Sequence, residues 1–109
     1  NRNITVVSNL SRGNMRALID IPLYAQTDLE KVTRIIQQVN QEYAGDQVEI
    51  LQEPTILGPQ VSENGQFYFC ISITVQSGSQ STVYHQFYRL YHDALLKGGI
   101  DLPTIYAPA

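Results

Sequence analysis

From Asn64 to Gln76 the chain reads NGQFYFCISITVQ, with Phe67, Phe69, Ile71, Ile73 and Val75 at every second position. A period of two places all five side chains on one face of a strand. A face that apolar has to be covered, so this stretch constrains everything packed around it. Aromatics behind a glycine also suit a platform on which RNA bases stack, but that strand takes Lys or Arg before the glycine and points its rings at solvent. Here Asn64 precedes Gly65, and the positions in register with Gly65 are Gln66 and Tyr68, of which only one can stack. Sliding the register to use Phe67 and Phe69 would leave Ile71, Ile73 and Val75 in water on the same face. The alternation therefore predicts a core wall. The outward row of Tyr68, Cys70, Ser72 and Thr74 is mildly apolar, suited to packing on another subunit or to facing solvent.

The rest of the chain supplies what covers that wall. RALIDIPLYA alternates as well, with Ala17, Ile19, Ile21 and Leu23 on one side and Leu18, Asp20, Pro22 and Tyr24 on the other, so it reads as a half-buried strand. Pro22 has no N–H to give a ladder, which predicts a sheet edge there, or pairing on one side only. TDLE follows, where Thr27 as N-cap and Glu30 three residues on make a capping box. Leu29, Val32, Ile35, Ile36, Val39 and Tyr43 then recur at helical spacing, and Gly45 suits a left-handed cap. A helix is expected from Asp28 to about Tyr43. Thr55 to Leu57, between Pro54 and Pro59, reads as a strand extending unevenly to Val61, and SENG turns it into the opening stretch. A last helix starts near SGSQS, carries Tyr84, Phe87, Tyr88, Tyr91, Ala94 and Leu95 on one stripe, and stops at Gly98-Gly99.

Strand, helix, strand, hairpin strand, helix is an α+β order. It predicts a ferredoxin-like split βαββα sandwich, a small antiparallel or mixed sheet with two helices on one face. The 109 residues make one domain, and a chain near that length buries roughly 60–70% of its unfolded surface without staples. A fourth strand is not evident. The chain opens on Asn1 with ITVVSN, which reads as the end of a strand and hence as part of something longer.

Charge and reactive groups narrow the function classes. Seven basic residues stand against ten acidic ones, and the basic ones are scattered, a poor basis for tracking nucleic-acid phosphates. The lone cysteine, Cys70, lies mid-strand and reads as a small buried or half-buried hydrophobe. No apolar run reaches the roughly 18–20 residues a membrane span needs. His85 and His92 are separated by about 10 Å of helix axis, too far to share a metal, while His92 and Asp93, adjacent in sequence, should point to different sides. No phosphate loop and no nucleophile elbow occurs. Neither a catalytic residue nor a cofactor is expected. The seven tyrosines are the unusual feature. Tyrosine combines contact area with a polar tip, so Tyr68, Tyr84, Tyr88 and Tyr91 are candidates for a subunit interface. A plain core with a tyrosine rim is the alternative.

The segment ITVVSNLSRGNMRALIDIPLYAQTDLEKVTRII resembles the small-conductance mechanosensitive channel family. There, a strand ending in Asn and a Ser-Arg pair leads from a β-domain into an apolar-x-apolar-Pro strand, then Tyr, Thr-Asp and a helix. Ile21-Pro22, Tyr24, Thr27-Asp28 and Glu30-Lys31 follow that order, and Gly99, Ile100, Leu102 and Pro103 match the Gly-Ile-x-Leu-Pro with which the family leaves its last helix. The likeness covers nearly the whole chain and is loose between Gly45 and Pro59.

The resemblance implies a cytoplasmic α+β domain at residues 14–103, a remnant of the preceding β-domain with a hinge at 1–13, and a tail at 104–109. Family members form heptameric rings in the cell membrane. Their membrane helices sense tension and release ions and osmolytes on hypo-osmotic shock, and their cytoplasmic domains build a cage with side openings. This chain would then meet other copies of itself, touch the membrane only through helices upstream, and bind no nucleic acid; alone it would be a monomer or weak dimer. Asn9, Ser11 and Arg12 would form the hinge near the cage openings, unless they are a plain polar linker. A second reading is a ferredoxin-like regulatory module that binds a small molecule. The missing fourth strand and the lack of a Gly-rich ligand loop count against it.

Overall fold

The computed structural model describes residues 6–9 and 14–103. Strand β1 (Val6–Asn9) is followed by β2 (Asn14–Pro22), helix α1 (Leu29–Tyr43), a 3-10 turn (Ala44–Asp46), β3 (Thr55–Val61), β4 (Phe67–Val75) and α2 (Gln80–Lys97). The strands make one antiparallel sheet in the order β1-β2-β4-β3. The β2-α1-β3-β4-α2 unit is the expected split sandwich. In place of a strand after α2, the strand before β2 fills the fourth position. The segment expected to be a remnant of another domain is thus, over Val6–Asn9, part of this sheet.

The core forms as the alternation requires. Ala17, Ile19, Ile21 and Leu23 of β2 and Phe69, Ile71, Ile73 and Val75 of β4 are all buried, with Phe67 packed at the margin. Against them α1 contributes Val32, Ile36 and Val39, and α2 contributes Val83, Phe87, Tyr91 and Leu95. Each of the larger of these side chains removes enough apolar surface to stabilise the fold by about 1.5–3 kcal/mol. The RNA-platform reading fails here, because Phe69 is only 1% exposed.

Local details depart from expectation for identifiable reasons. The α1 cap is Asp28 rather than Thr27: the Asp28 carbonyl accepts the first helical bond, from Val32, and its carboxylate accepts the Lys31 N–H at 3.3 Å. The N–H of Thr27 instead closes a turn onto the carbonyl of Tyr24. Gly45 is not a left-handed cap; the chain tightens into the 3-10 turn after Ala44. Tyr43, placed on the apolar stripe, is exposed. The second helix stop holds. Gly99 has φ +88°, and the N–H groups of Gly98, Gly99 and Ile100 return to the carbonyls of Ala94, Leu96 and Leu95.

Among the described residues Pro22 pairs on one side only, opposite Tyr68, at the end of a strand that carries β1 on its other side over Asn14–Ala17. Of the outward row on β4, Cys70 and Ser72 are buried while Tyr68 and Thr74 are half-buried. β4 lies between two neighbours, so these small side chains sit below Leu18 and Asp20 across one ladder and Thr55 across the other.

Candidate functional site

The sequence marked four tyrosines as a surface cluster, and the structure brings three of them together. Tyr68 lies on the outward face of β4, its hydroxyl donating to Gln60 Oε1 at 3.2 Å. Tyr84 and Tyr88 lie one turn apart on α2, ring centroids 5.9 Å apart and planes tilted by 31°. All three line one open hollow of about 890 Å³, shared with Asp20, Pro22 and the β3–β4 turn. Partial burial raises the Tyr88 phenol pKa above its ordinary value.

Tyr91 does not belong to that surface. Its ring is fully buried against Phe87, with centroids 5.8 Å apart. Its hydroxyl donates to Asn40 Oδ1 on α1 at 2.6 Å, and desolvation raises its pKa strongly. The stripe of α2 turns as it runs: Val83, Phe87, Tyr91 and Leu95 face the core, while Tyr84, Tyr88, His92 and Leu96 form the flank beside it.

That flank contains residues the tyrosine argument passed over. His92 stacks on Tyr88 at 6.2 Å with planes 15° apart. A second hollow, of about 400 Å³, is lined by Ile21 and Pro22 of β2, by Tyr88, His92 and Leu96 of α2, and by Leu102 and Pro103 after it. The spacing of 84, 88, 92 and 96 carried the signal, since residues four apart share a helix face. A histidine here ordinarily reads as solvated or tyrosine-packed, and His92 is packed on Tyr88. Against expectation, its Nδ1 lies 3.7 Å from Asp93 Oδ1 although the two are adjacent. His85 is on a different row, its Nδ1 3.0 Å from the Ser81 carbonyl.

Of the expected hinge, Asn9 is the last residue of β1, opposite Asn14. Ser11 and Arg12 lie outside the described residues, as does the 104–109 tail. Among the described residues no group of three or more His, Cys, Asp or Glu side chains is placed to hold a metal, and no helix is long and apolar enough to cross a membrane. Chemically, the hollows offer aromatic faces and the side chains of Asp20 and Glu63, a surface equipped for contact. No protein-family model matches the chain, and no curated protein matches it.

Proposed function

We propose that this chain is the cytoplasmic cage domain of a tension-gated membrane channel that releases ions and osmolytes on hypo-osmotic shock. The observation that carries the reading is the ordered series Ile21-Pro22, Tyr24, Thr27-Asp28, Glu30-Lys31, then Gly99, Ile100, Leu102 and Pro103, which resembles the small-conductance mechanosensitive channels. Several members stand at junctions of the fold. Pro22 ends β2, Tyr24 and Thr27 close the turn after it, Asp28 caps α1, and Gly99 stops α2. The two ends of the series also meet, because Ile21 and Pro22 share a hollow with Leu102 and Pro103.

In such a role the domain works by shape. A stiff sheet under two helices holds its outline while copies arranged in a closed ring repeat one modest contact. Tyr68, Tyr84 and Tyr88 are the residues proposed for that contact; the membrane is reached through helices upstream, and the domain hangs on the cytoplasmic side. The test is electrical. The full-length protein, expressed in cells stripped of their own tension-gated channels, should give suction-activated currents in excised patches and rescue survival of hypo-osmotic shock. Silent patches from a membrane that contains the protein would overturn the reading.

One observation favours the regulatory-module alternative. The fourth sheet position is filled after all, by β1, which removes one of the two arguments against it. A small molecule that raises the melting temperature in proportion to its concentration, as selective binding to the folded state requires, would favour that module over the cage.

A further inference from the structure

Of the chain's asparagines, Asn64 alone is followed by glycine. Both residues are exposed in the turn between β3 and β4. Gly65 has φ +87°, and with no Cβ it leaves its backbone nitrogen accessible to the side chain before it.

The turn aims its donors at one atom. Asn64 Oδ1 accepts from the Ser62 hydroxyl and from the Gln66 N–H, the latter at 3.3 Å and shared with Ser62 Oγ at 3.1 Å. Around them the Gly65 N–H donates to the Ser62 carbonyl at 3.0 Å, and the Ser62 N–H to the Gln66 carbonyl at 2.9 Å. Two donors on a carboxamide oxygen make its carbon more electrophilic. They also stand ready for negative charge that develops on that oxygen, as an oxyanion hole does.

We propose that Asn64-Gly65 is a site of spontaneous covalent rearrangement, with Ser62 and Gln66 stabilising the oxyanion. The Gly65 N–H leaves the Ser62 carbonyl, which at an exposed hairpin tip takes only a local opening. The Gly65 nitrogen loses its proton and bonds to Asn64 Cγ, placing the charge on Oδ1. The Cγ–Nδ2 bond then breaks, ammonia departs with that proton, and a succinimide remains. Water reopens the ring. Attack at Cγ breaks its bond to the Gly65 nitrogen and gives an aspartate at position 64. Attack at the main-chain carbonyl breaks the other bond and gives an isoaspartate, its main chain rerouted through the side chain. The sum is amide plus water to carboxylic acid plus ammonia, with no change of oxidation state.

Either product sets a new carboxylate beside Glu63 on the wall of the larger hollow. Isoaspartate also lengthens the main chain of the turn, and turn length fixes hairpin register, here Val61 opposite Phe67 and Gln60 opposite Tyr68. The wall that Tyr68 shares with this turn therefore changes as the protein ages. This inference does not rest on the channel reading and holds for either function.

Peptide mass spectrometry of the full chain, incubated at neutral and at mildly alkaline pH, tests it. Position 64 should turn acidic at least tenfold faster than Asn9, Asn14 or Asn40, faster still at the higher pH, and yield both aspartate and isoaspartate. Ser62→Ala should slow the folded chain several-fold, whereas in urea the variant and wild type should react alike. Should Ser62→Ala loosen the hairpin, Ser62→Thr keeps a hydroxyl and should restore the wild-type rate. A rate at position 64 no greater than at the other asparagines overturns the proposal, as does aspartate without isoaspartate, the product of direct hydrolysis. Faster reaction of folded Ser62→Ala than of wild type overturns it as well, because the turn would then be a brake.

Discussion

The hydroxyl of Tyr91 on α2 and the side-chain oxygen of Asn40 on α1 meet at 2.6 Å, a polar link between the two helices. Tyr91 is fully buried as a residue, so its phenol had to find an acceptor inside the protein. Asn40 supplies it from the margin of the α1 stripe.

Tyr91→Phe keeps the ring and deletes that bond. The expected loss is about 1 kcal/mol, up to about 2 if the Asn40 oxygen is left without water. Thermal unfolding should register a fall of roughly 4–8 °C per kcal/mol for a domain of this size. Asn40→Ala should cost at least as much, because it strands the phenol. A double variant costing no more than the larger single one would locate the effect in this pair.

The same phenol gives stability a pH dependence. Burial raises the Tyr91 pKa above its ordinary value, so the folded state keeps its proton where the unfolded chain has lost it. With more protons bound when folded, stability falls as pH rises. The contribution is whole below about pH 10, the ordinary tyrosine value, and declines above it. Melting curves from pH 8 upward should show wild type losing stability more steeply than Tyr91→Phe; parallel slopes would mean the phenol ionises freely in the folded protein.

Neighbouring positions on β4 should respond in opposite ways. Phe69 is enclosed between sheet and helices, so Phe69→Ala is expected to cost about 3–5 kcal/mol through lost transfer energy and a cavity. Tyr68→Ala, one residue away on the other face, gives up one hydrogen bond and a half-buried ring and should cost clearly less, about 1 kcal/mol. Urea unfolding of both variants checks the contrast. Comparable losses would mean that the outward face is also packed.

This contrast marks what was legible in the sequence. Period two determines which side of a strand is apolar, so Ile19, Ile21, Ile71 and Ile73 were readable without coordinates. Strand position within the sheet is a long-range property. Hence the burial of Ser72, and the entry of Val6–Asn9 as the fourth strand, were not readable, whereas Cys70 reads as a buried or half-buried hydrophobe and is buried. On α2, Tyr88 and Tyr91 share one broad stripe in the sequence, and only the location of α1 decides which enters the core. The Thr27–Asp28 ambiguity is more local: both are good caps, and the turn from Tyr24 uses the N–H of one and leaves the other to start the helix.

Gly98 tests the closeness of the two helices. A Cβ there would stand 2.6 Å from Ile35 Cδ1 and 3.3 Å from the Ala94 carbonyl oxygen. Ile35 can move, the helix backbone much less, so Gly98→Ala should cost about 1–3 kcal/mol, as overpacking commonly does. Combining it with Ile35→Val, which removes the terminal methyl, should recover part of the loss. No recovery would assign the cost to the backbone contact.

The last expectation concerns association. The described surface has its larger exposed apolar residues spread over Tyr24, Tyr43, Val48, Leu51, Leu57, Val61 and Leu96, on several elements and loops, and β3 carries a bulge and a proline at its edge. A stable interface generally buries at least about 1,000 Å² with good complementarity, and a ring contact of smaller size holds only when repetition and attached domains keep copies together. The chain alone should therefore sediment as a monomer or weak dimer across micromolar concentrations. Tyr84→Ala with Tyr88→Ala should abolish any dimer seen, since these half-buried residues form the aromatic flank of α2. A stable heptamer of the isolated chain would show that this domain drives assembly itself and is no passive part of the ring.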